Sequence, residues 1–488
     1  MRKELRGKLI IFLILAVILL GAAVLRLYNL EEESLWLDEC FTLDYSSKSF
    51  TALVETLKKD VHPIGYYLPQ HLLINYFGTG EASLRILSVF FGVLSVFLTF
   101  VLARKIFSWK EGLLAAFFMA ISYTSILYSQ EAKMYSMFAA FFLLSHYSFI
   151  RFSEKPFFRN TLFFSVSATL LLYTHIIGLV IVSVYVLYYA TSYILQNKLN
   201  PIPRFVKNEF LLLRFYTALI TIFLLYLPWL KILLFYQLPL LYNFLGSKLI
   251  EKTGLNIFPV VIVGTFLLGL LYVVSLYLIL KNKINFRVIK ERFRYIFAFF
   301  SNEKFFYLLL FSFLILDYLL SKYLFSSVSV IRFGFFVLPL LYILLSRILL
   351  KMKKNNLAIF LFVLLFLSAS FELYTYYTID SKEQFHEAAD YMLSQATPDD
   401  VLFLHRATIA KRCFDYYYSG NVEEVRLIEA GKDDYLLIER ASGKRNAYLI
   451  LSHNYHTKDY FPSRMSSLYE FENEKDFIGI KIYKYKIS

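Results

Sequence analysis

The sequence predicts an all-α polytopic membrane domain followed by a small α/β soluble domain. Three observations lead there. Hydrophobic residues make up 58% of the 488 residues and charged residues only 18%, whereas an ordinary soluble domain is closer to half apolar and a quarter charged. The apolar residues fall in blocks long enough to cross a bilayer, which takes roughly 20 residues each. Past residue 377 that character is lost, and short apolar runs alternate with polar amphipathic stretches. The composition excludes a disordered chain. Cys40 and Cys413 are the 2 cysteines; they exclude a disulfide-rich scaffold and leave room for one bridge without requiring it.

The apolar blocks predict spans near 9–28, 83–103, 112–129, 132–150, 160–175, 177–195, 210–229, 257–280, 305–320, 333–350 and 357–377. Spans five and six meet at Thr174-His175-Ile176-Ile177-Gly178 with almost no loop between them. Residues 1–28 begin basic and carry Gly21-Ala22-Ala23, as a cleaved leader does. The long apolar stretch that runs straight into the next loop favours a retained first span. No internal repeat is evident, which weighs against a secondary transporter built from repeated halves.

Charge sets the orientation. The loops on the side of the N-terminus carry 25 Lys and Arg, and the alternate loops carry 9. Positive residues stay on the cytoplasmic side. The N-terminus is therefore expected inside, with loop 29–81 and everything after 377 outside the plasma membrane. The net charge of +14 lies in short segments between apolar blocks, so it reads as topology and not as a nucleic-acid surface. Residues 378–488 are expected to form one α/β domain, with apolar runs at 401–404, 425–428, 448–451 and 478–482 and helices at 382–395 and 408–418.

The chemistry concentrates on the outer side. Loop 29–81 is too long for a mere connector. It carries Trp36-Leu37-Asp38-Glu39, an amphipathic stretch at 50–59, and His62-Pro63-Ile64-Gly65-Tyr66-Tyr67. An arbitrary Asp-Glu pair in a loop is ordinarily just solvated; the combination is the signal here. Ser129-Gln130-Glu131-Ala132-Lys133-Met134-Tyr135 opens span four, where, taken alone, Glu131 and Lys133 read as interfacial anchors with Lys133 snorkelling. His175 sits in the outer hairpin, Arg85 at the outer start of span two and Arg332 at that of span ten. Asp317 lies within span nine. His453 and His456, three apart in a polar stretch, are too sparse to imply a metal.

In this order, the landmarks at 36–39, 62–67, Ser83-Leu84-Arg85-Ile86-Leu87-Ser88, 130–135, Tyr173-Thr174-His175 and Leu227-Pro228-Trp229 resemble the GT-C integral-membrane glycosyltransferases. Among these they are nearest to the relatives of protein O-mannosyltransferases and aminoarabinose–lipid A transferases. The resemblance covers about residues 1–350. Lys133 stands where the family usually has Arg, and Pro63-Ile64 where it has Pro-Pro. The Trp-Trp-Asp-Tyr-Gly motif of oligosaccharyltransferases is absent.

The resemblance implies a GT-C type domain (1–377) of about 11 transmembrane helices, followed by the domain 378–488. It implies transfer of a sugar from a polyprenyl-phosphate donor to a lipid, glycan or protein acceptor on the outer face, with inversion by single displacement. Asp38 is the expected general base. Lys133, Arg332 and His62 are the expected partners of the leaving phosphate, which gains charge as the glycosidic bond breaks. Glu39, Glu131, Tyr66, Tyr135, His175 and Arg85 complete the expected pocket. No cofactor is called for; Asp38 and Glu39 with His62 leave room for a divalent ion without implying one. A lipid-linked-sugar flippase or transporter is the competing class. It predicts substrate movement without a new glycosidic bond, and more ionisable residues within the spans than Asp317 and Glu372.

Overall fold

The computed structural model describes residues 2–199, 205–241, 243, 335–405, 407–452 and 460–487. The spans expected at 257–280 and 305–320, with Asp317 and Arg332, lie outside the described residues, as do His453 and His456.

The chain begins with helix α1 (Arg2–Leu27), which leads into the long loop. Three short helices fill that loop: α2 (Leu37–Ser46), α3 (Phe50–Leu57) and α4 (Tyr67–Phe77). Local chemistry sets their ends. Ser49 caps α3 by accepting the Ala52 N–H at 3.4 Å. Gly78, at φ +82°, turns the chain out of α4 while its N–H bonds back to Ile74.

The bundle continues with α5 (Glu81–Ile106), α6 (Trp109–Ile121), α7 (Tyr123–Leu127), α8 (Tyr135–Glu154), α9 (Phe158–Thr174), α10 (Ile177–Leu199) and α11 (Phe205–Ile232). A π-helical turn (Leu233–Gln237) follows α11. After a 3₁₀ turn (Phe335–Val337) come α12 (Leu338–Lys351) and α13 (Asn355–Thr378). Helix α5 packs against both α6 and α8, and α8 against α9, with α11 against α9 and α12 against α6. Among the described residues, four helical stretches are long and apolar enough to cross a membrane: Glu4–Leu27, Glu81–Ile106, Leu213–Leu241 and Asn355–Thr378. Helix α13 fully buries none of its residues; Phe362 and Phe366 touch Phe117 of α6, and the rest of its apolar surface suits lipid.

The span expected at 112–129 is not one helix. Helix α6 stops at Ile121, Ser122 adopts an extended conformation, and α7 restarts at Tyr123. The Ser122 hydroxyl caps α7 by accepting the Ser125 N–H at 3.3 Å. The freed carbonyls of Met119 and Ala120 accept bonds from the buried Arg26 guanidinium at 3.2 and 3.1 Å. The break is therefore satisfied by a charge from another helix, with no Gly or Pro at the break to announce it.

The C-terminal region holds α14 (Phe385–Gln395), β1 (Val401–His405), α15 (Ala407–Tyr417), β2 (Glu423–Leu427), α16 (Asp434–Glu439), β3 (Asn446–Ser452), α17 (Tyr460–Leu468), β4 (Glu470–Phe477) and β5 (Ile480–Lys486). The strands form a mixed sheet in the order β2-β1-β3-β5-β4, parallel across β2-β1-β3 and antiparallel from β3 onward. One side of the sheet packs on its own helices through Phe403, Leu449, Phe461 and Met465. The other shares a core with the long loop, joining Leu402, Leu404, Phe414 and Met392 to Leu35, Cys40 and Leu43. A disulfide between Cys40 on α2 and Cys413 on α15 crosses that shared core, with Cα atoms 5.4 Å apart.

Candidate active site

The landmarks that stood far apart in the sequence meet at one end of the bundle, where the long loop closes over it. Glu39 is the first junction. Its carboxylate accepts Arg85 Nε at 2.9 Å, Arg85 Nη2 at 2.8 Å and the Ala132 N–H at 2.8 Å. Both side chains of this fork-to-fork pair are essentially inaccessible. Arg85 also donates to the carbonyls of Leu30 at 2.7 Å and Ser34 at 3.0 Å. The acidic pair, the start of α5 and the segment before α8 are thereby joined. Lys382, just past α13, reaches the same carboxylate at 3.8 Å and donates to the Gln130 carbonyl at 3.1 Å. Burial works to raise the Glu39 carboxyl, but Arg85, Lys382 and the Ala132 N–H hold it down at about 2.

Tyr66 makes the second junction. Its hydroxyl and that of Ser88 are 2.8 Å apart, and Ser88 donates to the Lys133 carbonyl at 3.0 Å. Gly65 makes the third, with its N–H 2.8 Å from the Tyr173 carbonyl oxygen. A Cβ at Gly65 would sit 2.4 Å from that oxygen, so only glycine permits the approach. The fourth runs through the π-helical turn. Gln237 donates to the His62 carbonyl at 2.9 Å and accepts Trp229 Nε1 at 3.1 Å.

Beside Tyr66 stands Tyr67, their ring centres 6.1 Å apart. Its hydroxyl is buried and has no hydrogen-bond partner among the described residues. It lies within the electrostatic reach of Asp60, Tyr45, Asp38 and Tyr135. Burial first, and then these neighbours, hold it well above its ordinary value, so it stays a neutral donor. The Lys133 ammonium lies 5.9 Å from the centre of the Tyr67 ring and also acts on Asp60. Lys133 is only 4% exposed. It is therefore buried against the site and does not snorkel at the interface, because Tyr67 and the loop helices cover it.

Asp38 is half-buried in the first turn of α2. His62 directs Nδ1 at Asp60 Oδ1, 2.7 Å away, and the two imidazoles of His62 and His175 lie 6.2 Å apart. His175 also packs on Phe138, with ring centres 5.1 Å apart, and its Nδ1 accepts the Ile177 N–H at 3.2 Å. Tyr135 packs against Tyr128, with ring centres 5.0 Å apart and planes at 58°. Glu131 is buried, and its charge acts on Tyr66 and Lys382. The structure thus gathers Asp38, Lys133, Tyr135 and, through Asp60, His62 around Tyr67. It places Glu39 and Arg85 behind them as a buried tie. Arg332 lies outside the described residues.

Asp60, Lys382 and Gln237 in this arrangement are absent from the sequence reading, as is Arg26 at the break before α7. Asp60 stands two positions before His62, and its carboxylate also accepts the His62 N–H at 3.1 Å. Burial works to raise the Asp60 carboxyl, but His62 and behind it Lys133 hold it below the ordinary carboxylate range. The Asp60-Val61-His62 spacing was the available signal. Arg26 had none, since a lone arginine near the end of an apolar block reads as a topology charge.

Asp38, Glu39 and His62 do not fit a divalent ion. Glu39 is taken up by Arg85, and His62 by Asp60. Among the described residues, no three His, Cys, Asp or Glu side chains converge as a metal site would require.

The family described as dolichyl-phosphate-mannose-protein mannosyltransferase matches residues 61–230. No curated protein matches the sequence at a significant level. Among solved structures, the chain is similar to ArnT from Cupriavidus metallidurans bound to undecaprenyl phosphate. The TM-score is 0.53 at 10% identity, over 96% of this chain and 97% of that one. It is also similar to the Archaeoglobus fulgidus oligosaccharyltransferase tethered to an acceptor peptide, with TM-score 0.55 at 12% identity, over 98% of this chain and 74% of that one. The archaeal oligosaccharyltransferase AglB in complex with an inhibitory peptide and a dolichol-phosphate gives TM-score 0.50 at 12% identity, over 99% of this chain and 74% of that one. These likenesses run through both the bundle and the C-terminal sheet, and the chain has the fold that these structures share.

Proposed function

We propose that this protein transfers a sugar from a polyprenyl-phosphate donor to an acceptor on the outer face of the plasma membrane, by inverting single displacement. In this reading the chain has eleven spans, its N-terminus is cytoplasmic, and the unit after residue 377 is extracytoplasmic. Asp38 takes the proton from the acceptor. The acceptor atom bonds to the anomeric carbon as the bond to the phosphate oxygen breaks, and polyprenyl phosphate departs. Lys133, with His62 and Arg332, stabilises the charge that gathers on that phosphate. Glu39 and Arg85 hold the loop that carries Asp38. Glu131, Tyr66, Tyr135 and His175 shape the pocket wall.

One observation carries the reading. A carboxylate (Asp38) and a buried ammonium (Lys133) both act on the same buried tyrosine, Tyr67, whose hydroxyl has no protein partner among the described residues. Buried polar groups left without a partner are rare, and an incoming donor headgroup supplies one here. Two of the similar structures carry polyprenyl-type phosphates, undecaprenyl phosphate in ArnT and a dolichol-phosphate in AglB, which is the donor chemistry proposed. The disulfide between loop and C-terminal unit suits an oxidising compartment.

The test is donor-dependent transfer by purified protein with a polyprenyl-phosphate sugar. Asp38→Asn removes the base while keeping the shape. Transfer should fall about 10²–10⁴-fold, the usual contribution of a positioned general base. Full activity in that variant would end the assignment of Asp38. Movement of the donor across vesicles without a new glycosidic bond would favour the flippase instead.

A further inference from the structure

A cavity opens beside the site, between the long loop and α15, with a volume of about 670 Å³. That size is within the range of small-ligand sites. Its lining includes Tyr45, Lys48, Thr56, Lys59, Glu55 and Arg412. The charges do not cancel. Asp44 serves two cations at once, with Lys48 at 3.0 Å and Arg412 at 3.1 Å. Glu55 is paired with Lys58 at 2.6 Å. One carboxylate against two cations leaves a surplus there, and Lys59 adds another from an exposed position.

The cavity is also built and not merely open. The Arg412 guanidinium lies 4.8 Å from the ring centre of Phe41 and 5.9 Å from that of Tyr45, so its plane is braced by aromatic faces. The next residue, Cys413, is bonded to Cys40 on α2, which pins this arginine of the C-terminal unit to the loop. Tyr45 connects the two sites. Its hydroxyl interacts with both Asp60 and Arg412, and its ring centre is 5.6 Å from that of Tyr67.

We propose that this cavity receives an anionic, phosphate-bearing group of the acceptor, with Arg412 as the specificity-determining residue. A guanidinium fork matches phosphate oxygens in two parallel bonds, and the lysines add point charge. The inference rests on the transferase reading for the word acceptor, but the binding site itself does not. A lipid headgroup and a soluble sugar phosphate offer the same chemistry, so the test uses both.

The purified full chain, in discs of neutral lipid, is titrated with glucose 1-phosphate and with a short-chain phosphatidic acid. Glucose and a short-chain phosphatidylcholine serve as neutral controls. At least one phosphate probe should bind saturably while the controls do not, and which one binds identifies the source. Arg412→Ala and Lys59→Ala should each weaken binding at least about tenfold. Arg412→Lys should recover part of the loss, and Lys133→Ala should leave this binding in place. The Lys59 variant alters an exposed side chain and keeps the test sound if Arg412→Ala fails to fold. Equal binding of the neutral controls, no binding of either phosphate, or loss in Lys133→Ala equal to that in Arg412→Ala would overturn the proposal. Binding is read without turnover. A wild-type protein that binds phosphate yet transfers no sugar would sink the transferase reading and leave this site standing.

Discussion

At the scale of single residues, Glu39 and Lys133 do different work although both are buried. Glu39 is fully enclosed, and Arg85 occupies both its oxygens. Removing one partner of such a pair leaves a buried charge unmatched, at a cost of about 3–5 kcal/mol. Glu39→Gln should therefore unfold earlier than the wild type. The pH dependence follows from the direction of the shift. Glu39 is depressed from an ordinary 4.5 to about 2, so its contribution is complete above the ordinary value and fades as pH falls toward 2. The gap in melting temperature between wild type and Glu39→Gln should be constant from neutral pH down to about 5 and close below that. A gap that persists unchanged to about pH 2 would contradict this. Lys133 faces the site, over the ring of Tyr67. Lys133→Ala should lower kcat/KM for the donor about 10²-fold, and Lys133→Arg should restore part of it because charge is kept. Donor kinetics unchanged in Lys133→Ala would remove it from the phosphate site.

At the scale of elements, the bridge from α2 to α15 matters most. Cys40 lies two positions after Asp38, and its partner is 373 residues away in sequence. Closing so long a loop restricts the unfolded chain, and such bridges typically stabilise by about 2–4 kcal/mol. The denatured protein should take up no maleimide until reduced and two equivalents afterwards. Cys40→Ser with Cys413→Ser should lose stability of that order and also slow transfer, since α2 carries Asp38. Labelling without reduction would show that the bridge is not formed. Sequence alone had no means to see this pairing, because nothing local relates residue 40 to residue 413. The long helices were legible, since lipid-length apolar blocks need no partner to be recognised. The apolar strands were too, with β1 and β3 centred on their apolar runs and β5 overlapping its run at 480–482. Strand β4 was not: Glu470–Phe477 is exposed along nearly its whole length, so it shows no alternation. It is held by its ladder to β5 alone, as a charged edge strand should be. The break at Ser122 was hidden for a similar reason, since its signal resides in Arg26 on another helix. The order of the motifs foretold that they would meet; only geometry reveals that Glu39 and Arg85 tie the loop while Tyr67 forms the centre.

At the scale of the whole molecule, every element that builds the site presents the same end of the bundle. The C-terminus of α1, the N-termini of α5 and α8 and the turn between α9 and α10 all reach it, and the chain leaves α13 there to form the sheet. Leu35 N–H donates to the Tyr417 hydroxyl at 2.7 Å, and Tyr417 donates to Glu81 at 2.7 Å, so loop, bundle and C-terminal unit share one framework. If that end is outside the membrane, as proposed from the excess of 25 over 9 basic residues in alternate loops, then the C-terminal unit is outside with it. Arg440 gives a place to ask, being half exposed in its pairing with Glu423 and far from the site. A surface pair of this kind contributes little to stability, so Arg440→Cys should fold normally. The native cysteines are joined to each other and stay silent. In intact cells Arg440→Cys should react with a membrane-impermeant thiol reagent as fully as after lysis. Reaction only after lysis would place the sheet, Asp38 and the basic cavity in the cytoplasm, where the proposed outer-face transfer has no role and the bridge from Cys40 to Cys413 would face a reducing environment.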